Sequence, residues 1–304
     1  MTVRLALTLL AASFVSHAQP IADHHQHFLR AAAAPPAGAV LEAKDLIARM
    51  DASGIRRAVV LSIAYQLANP NRPPVENEYE KVKAENDWTR DQAALYPKRL
   101  KAFCGVNPLK DYAIAEINRC AADPRTKDGL KFYFGNSDVD LDKPETVEKM
   151  QAIFREANKN RMAIVAHIHS TISQKRPWGA KQAKVFIEKL LPEAPHITVQ
   201  IAHMAGAGNY DAGVDAALRT FADAITTHDH RTRRVIFDLS VSPELDGKSV
   251  ADQIALRIRQ IGLDRIYFAS DAPPAEGIKQ FRKLPLTDKE FRKIEHNVAP
   301  YLKR

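Results

Sequence analysis

Eight short apolar runs recur along this chain, each followed by a segment with helical periodicity, and that alternation restricts the fold more than any other feature. The runs fall at residues 21–27, 57–63, 100–106, 129–134, 162–167, 197–203, 234–240 and 265–270. Helical patterns occupy residues 44–53, 77–96, 112–122, 144–158, 180–191, 212–227 and 250–261, and two shorter helices near 276–282 and 288–302 finish the chain. Apolar strands separated by helices point to a parallel sheet covered on its faces. Eight of them favour a closed α/β architecture, a single-domain (β/α)8 TIM barrel, over an open doubly wound sheet. No Gly-x-Gly-x-x-Gly follows the first strand, so a dinucleotide fold loses its main support.

Residues 1–18 read as a signal peptide rather than as part of the fold. Arg4 supplies a positive start, residues 5–15 are apolar but too short to span a bilayer, and Ser16-His17-Ala18 is a cleavage signal before Gln19. The expectation is an exported, periplasmic protein whose folded domain is residues 19–304, with no membrane span in the mature chain. The formal net charge of +8 is scattered over the sequence. Without a compact basic run carrying interleaved aromatics, nucleic acid is not an expected partner. A small-molecule substrate is, and a basic surface would attract an anionic one. A homo-oligomer stays open. Cys104 and Cys120 admit two readings, a disulfide contributing on the order of 3 kcal/mol or two separate buried thiols.

Five of the runs carry a side chain able to bind a metal. His25 and His27 lie two apart on the first strand, so they share a face. Lys131 lies in the fourth run, His167 ends the fifth, His203 ends the sixth, and Asp271 follows the eighth. In a barrel, strand ends surround one mouth. Imidazole and carboxylate together suit Zn2+ and similar divalent ions. Other residues carry two readings each. His24 should point away from His25 and be packed or hydrogen-bonded. His169 is a substrate contact or a loop hydrogen bond. His228 and His230, a second His-x-His, belong to a solvent-exposed loop or hold a surface metal. Asp238 orients a ligand or satisfies loop backbone. Tyr65, Tyr133 and Trp178 line a pocket or simply pack. Arg72, Lys175 and Arg176 hold a substrate carboxylate or remain solvated.

Several stretches together resemble the amidohydrolase superfamily, specifically the amidohydrolase-related (amidohydrolase 2) branch that includes aminocarboxymuconate-semialdehyde decarboxylase. They are Asp23-His24-His25-Gln26-His27, His167, Ile201-Ala202-His203-Met204-Ala205-Gly206, Ala269-Ser270-Asp271-Ala272-Pro273 and Asn297. Tyr96-Pro97-Lys98-Arg99-Leu100 through Val106-Asn107-Pro108 adds to them. The resemblance covers nearly all of the chain after the leader. It implies that His25, His27, His167 and Asp271 hold one divalent ion, with Zn2+ the expectation. His203 would sit beside it as a second-site ligand or an acid/base group. In hydrolytic members the residue matching Asp271 takes a proton from water whose pKa the ion brings from about 16 to about 7. The resemblance also implies two readings of Lys131: carboxylated and bridging to a second ion, or unmodified and facing substrate or an acidic partner.

Three functions follow. The first is a metal-dependent hydrolase that cleaves a lactone, ester or amide by metal-activated water, ranked first because export suits breakdown of external esters. The second is a metal-dependent non-oxidative decarboxylase of a small unsaturated or aromatic acid. The third is a non-catalytic periplasmic binder.

Overall fold

The computed structural model describes residues 19–30, 40–169, 176–207, 210–240 and 248–303. The expected signal peptide and Lys175 lie outside the described residues. Eight strands, β1 (Ala22–Gln26), β2 (Arg57–Leu61), β3 (Leu100–Gly105), β4 (Gly129–Tyr133), β5 (Ala163–His167), β6 (Val199–Ile201), β7 (Val235–Asp238) and β8 (Ile266–Tyr267), pair in parallel in chain order. The seam between β8 and β1 is closed by the His24 amide donating to Phe268 O at 3.1 Å and the Asp271 amide donating to His25 O at 2.9 Å. The result is the (β/α)8 barrel expected from the alternation.

Around it stand α1 (Ala43–Ala52), α2 (Glu78–Ala94), α3 (Ala113–Ala122), α4 (Phe134–Ser137), α5 (Pro144–Lys159), α6 (Ala180–Val185), α7 (Ala212–Thr226), α8 (Lys248–Ile261), α9 (Pro274–Phe281), α10 (Asp288–Glu295) and α11 (Pro300–Lys303). A wider turn over Phe186–Leu190 extends α6. The final helical pattern splits because Pro300 has no amide to donate and starts a new helix, α11.

Strand alternation sorts the core into two. Ala58, Val60, Leu130, Phe132, Ile164, Ala166, Val199, Ile201 and Phe237 face outward and pack under the helices. Val59, Leu61, Phe103, Ala163, Val165, Ile236 and Tyr267 face inward and meet Ala299, Tyr301 and Leu302 from the C-terminal segment. Between this plug and the barrel mouth the interior is polar: Lys131, Gln200 and Asp238 are all buried. Asn297, one of the family-like positions, ties the C-terminal segment to the strand by donating to Leu263 O and Ile266 O, both at 2.7 Å.

One strand departs from simple alternation. The pairing of β1 with β2 shifts register between Asp23 and Gln26. Such an irregularity re-aims side chains. His24, expected to point away from His25, therefore also lies inside the barrel. Its ring meets Tyr267 at 5.0 Å and Tyr301 at 6.3 Å, and its Nδ1–H donates to Phe268 O at 2.7 Å. The cysteines are joined: Cys104 on β3 and Cys120 on α3 form a disulfide.

Candidate metal centre

His25, His27, Lys131, His167, His169, His203 and Asp271 lie at or beyond strand ends, or on strands facing the interior. His25, His27 and Asp271 offer ligand atoms all within 4.8 Å of one another. His27 Nε2 is 3.4 Å, and His25 Nε2 3.8 Å, from Asp271 Oδ1. His203 approaches from the other side, its Nε2 3.7 Å from Asp271 Oδ2. His167 stands outside this tight group. Its ring stacks on Tyr133 at 4.0 Å and meets His203 at 4.6 Å, and its buried Nε2 has no hydrogen-bond partner among the described residues. Lys131 is fully buried and donates from Nζ to His25 Nε2 at 3.0 Å. His169 is buried against the Trp178 indole, 5.5 Å between rings.

The histidine tautomers follow from their outer partners. His25 Nδ1–H donates to Asp238 Oδ2 at 3.1 Å, His27 Nδ1–H to Leu61 O at 2.6 Å, and His203 Nδ1–H to Ser240 O at 2.5 Å. Each Nδ1 is thereby fixed as the donor, which leaves each Nε2 a lone pair on the side of Asp271, that of His25 accepting from Lys131 Nζ. Burial pulls His27 down to about 3 against the opposing pull of Asp271, and it also lowers His203 and His167. The rings are therefore neutral and able to ligate at pH 7. Burial alone would raise Asp271, but His25, His27, His203 and Lys131 outweigh it and hold the carboxyl below its ordinary range. His25, His203 and Ser240 do the same for Asp238. Neutral imidazoles converging on an ionised carboxylate, with one orphaned imidazole nitrogen beside them, form a donor set that fits a divalent cation.

The backbone pays for this convergence. His203, Met204 and Ala205 have φ of 53°, 49° and 62°, and Asp271 has φ of 45°. Left-handed backbone costs a non-glycine residue roughly 1–2 kcal/mol. Asp238 Oδ1 accepts from the His203 amide at 2.9 Å and so holds the first of these turns. Asp238 thus accepts from the His25 ring and satisfies loop backbone at once. A second knot secures β1 to β8. Asp23 accepts from Ser270 Oγ at 2.5 Å, the Ser270 amide at 3.1 Å and Gln26 Nε2 at 3.0 Å.

Other candidates settle elsewhere. The side chain of His230 is 92% exposed. Arg176 pairs with Asp138 and Asp140 rather than facing the mouth. Cys104, Cys120 and Glu116 cluster, but the disulfide consumes both thiols. Tyr65 and Tyr133 line a cavity of about 390 Å³ together with His27, Asp271, Ile63, Leu41 and Arg49. Sequence reasoning missed Arg49, whose place on α1 looks like an ordinary helix-end cation. It also missed Gln200, Ser240 and Tyr301, which carry no spacing signal.

A (β/α)8 barrel with a His-x-His strand, further histidines and an aspartate at its mouth defines an amidohydrolase-type metal enzyme. The chain belongs to the amidohydrolase family, whose model matches residues 21–299. Among curated proteins no sequence matches it. Solved structures share its fold at low identity. A probable 2-pyrone-4,6-dicarboxylic acid hydrolase from Acinetobacter baumannii, with citric acid bound, is 16% identical over 90% of this chain and 96% of its own (TM-score 0.62). A 2,6-dihydroxybenzoate decarboxylase complexed with 2,6-dihydroxybenzoate is 19% identical over 94% and 100% (TM-score 0.64). A 5-carboxyvanillate decarboxylase from Novosphingobium aromaticivorans, with manganese and 4-hydroxy-3-methoxy-5-nitrobenzoic acid, is 16% identical over 95% and 97% (TM-score 0.60).

Proposed function

We propose that this protein is a metal-dependent non-oxidative decarboxylase of a small unsaturated or aromatic carboxylic acid. The observation that carries this reading is the cavity onto which His27 and Asp271 open, walled by Tyr65, Tyr133, Ile63 and Leu41. Flat apolar walls beside a cation-binding cluster suit a planar acid. This reverses the order expected from sequence, where export placed hydrolysis first. The decarboxylases among the similar structures support the reversal.

His25, His27 and Asp271 would hold the ion, and His167 would join them by turning its unpaired Nε2 inward. When bound, a divalent ion supplies the positive charge that orients a substrate carboxylate and an adjacent oxygen. In the reaction the C–C bond to the carboxylate breaks, CO2 leaves, its bonding pair stays on the ring or alkene carbon, and a proton fills that position. Asp271 Oδ2 and His203 Nε2, 3.7 Å apart, are the groups placed to hold and deliver that proton. Burial lowers Lys131 to about 8, against the pull of Asp271 and Asp238, so it keeps its proton at pH 7 and can donate to a substrate oxygen. A second ion would need Lys131 carboxylated, with His203 as its other ligand. Arg49 lines the same cavity with no acidic partner among the described residues, which suits a second anionic group on the substrate.

Hydrolysis is the second reading, because an ionised Asp271 can equally take a proton from water. Manganese- or zinc-loaded protein offered ortho-hydroxybenzoic acids and a 2-pyrone dicarboxylic acid separates the two. Metal-dependent CO2 evolution supports decarboxylation; a ring-opened acid formed without CO2 overturns it. We also read the chain as exported with residues 1–18 removed. The Cys104–Cys120 disulfide supports an oxidising compartment. Among the described residues no helix is long and apolar enough to cross a membrane.

A further inference from the structure

We propose that Tyr301 and Gln200 are positioning residues for the metal centre, acting through Asp238 from the closed end of the barrel. The inference rests on the reading of His25 as a metal ligand.

The chain of contacts is continuous and buried. Gln200 projects from β6 into the barrel interior, where its Nε2 donates to Asp238 Oδ2 at 2.6 Å and to His24 O at 3.0 Å. Both neighbours are acceptors only, so the amide cannot flip without placing its oxygen against a carboxylate and a carbonyl. Its Oε1 must then face the plug, where the Tyr301 hydroxyl donates to it. Asp238 Oδ2, held by Gln200, is the same atom that accepts from His25 Nδ1. His25 Nε2, at the other end of that ring, faces Asp271 and Lys131.

The geometry of the plug fixes Tyr301 in turn. Its ring packs on Phe103 at 5.0 Å, and the neighbouring Ala299 amide donates to His24 Nε2 at 3.1 Å. Two residues of the C-terminal segment, Ala299 and Tyr301, thus bind His24 Nε2 and Gln200 Oε1 from the closed end. A neutral interior would have sufficed to fill this space. Three buried polar side chains in series instead transmit one orientation to the ligand ring. Outer partners of ligating histidines typically change metal affinity about 10- to 100-fold.

The test is Zn2+ affinity, measured by competition with a chromogenic chelator on the intact protein, with thermal unfolding followed in parallel. Tyr301→Phe removes only the hydroxyl and should weaken Zn2+ binding about 3- to 10-fold. Gln200→Met keeps the volume and should weaken it about 10-fold or more. Phe154→Leu thins the outer core, where that ring packs on Phe132 and Phe186 away from the hydrogen-bond series, so it should lower the melting temperature and leave the affinity alone. An affinity for Tyr301→Phe within twofold of the parent, or a loss in Phe154→Leu equal to that in Tyr301→Phe, overturns the proposal. His25→Ala separates the underlying assumption. If that variant binds Zn2+ as the parent does, the metal assignment itself fails and the positioning role falls with it.

Discussion

Asp271 concentrates more of the chemistry than any other residue. It follows the last strand, adopts a left-handed backbone, and faces three imidazoles, two of which also hydrogen-bond to groups on other strands. Asp271→Asn keeps the shape and the backbone bond to His25 O but removes the charge. Turnover should fall at least about 10³-fold, with the melting temperature of the metal-free protein nearly unchanged, read by steady-state assay and circular dichroism. A variant retaining a tenth of parental turnover would remove Asp271 from the mechanism. Arg49→Met tests the other end of the cavity. For a substrate with two acidic groups it should raise KM about tenfold with little change in kcat, because a remote anchor contributes uniform binding. Residue types and strand-end positions made His25, His27, His203 and Asp271 legible in the sequence. Gln200, Ser240 and Arg49 were not, because their roles depend on which strand neighbours which and not on spacing along the chain.

At the scale of elements, the alternation of apolar strand and amphipathic helix conveyed nearly the whole barrel, since both periodicities are local. What it blurred was the ends. β6 stops at Ile201, and His203 sits in a left-handed turn beyond it, because that turn is held by a carboxylate on β7 that no local pattern reveals. Helix ends were similarly opaque where glycine is absent. After α5 and α7 the chain closes with Met162 N–H on Ala157 O and Asp229 N–H on Ala224 O, which places Arg161 (φ 58°) and His228 (φ 57°) in the left-handed position. Glycine is favoured there. Arg161→Gly and His228→Gly, both at exposed sites, should each stabilise the protein by about 0.5–1 kcal/mol in urea unfolding. A loss of stability in both would show that the side chains make compensating contacts. The tie between α7 and α8 has a pH signature. Arg257 binds both oxygens of Asp215 at 2.8 and 2.9 Å and, with Tyr210, holds that carboxyl at about 2. A depressed carboxyl contributes stability that is present above its unfolded value near 4 and is lost as the pH falls toward 2. That contribution is at most about 2 kcal/mol, and Arg257→Met should flatten the stability profile across that window.

For the whole molecule, the closure of the barrel and the binding of metal are the same question. Seven of the eight strand junctions are paired ladders, that of β1 with β2 carrying a register shift, whereas β8 is two residues long and the chain meets β1 through two backbone bonds just beyond it. Side chains supply the rest of the seam. The Asp23–Ser270–Gln26 knot lies on one side of the junction, and the proposed ligands His25, His27 and Asp271 straddle its upper end. Asp23 weakens as well as joins, since burial pushes its carboxyl up to about 6 despite the opposing hydrogen bond from Ser270, so at pH 7 a charge is held there at some cost. An ion bound by His25 and His27 from β1 and by Asp271 beyond β8 would cross-link the weakest junction of the barrel. Zinc at a thousandfold excess over its dissociation constant should add about 4 kcal/mol of stability and raise the melting temperature by several degrees. Hydrogen exchange gives the spatial test. On chelation the His24 and Asp271 amides, which form the seam bonds, should lose protection far more than the amides of the β4–β5 ladder on the opposite wall. Equal loss at both places would mean that the ion stabilises the fold globally without bridging the seam, and no rise in melting temperature with zinc would mean that this cluster does not bind it.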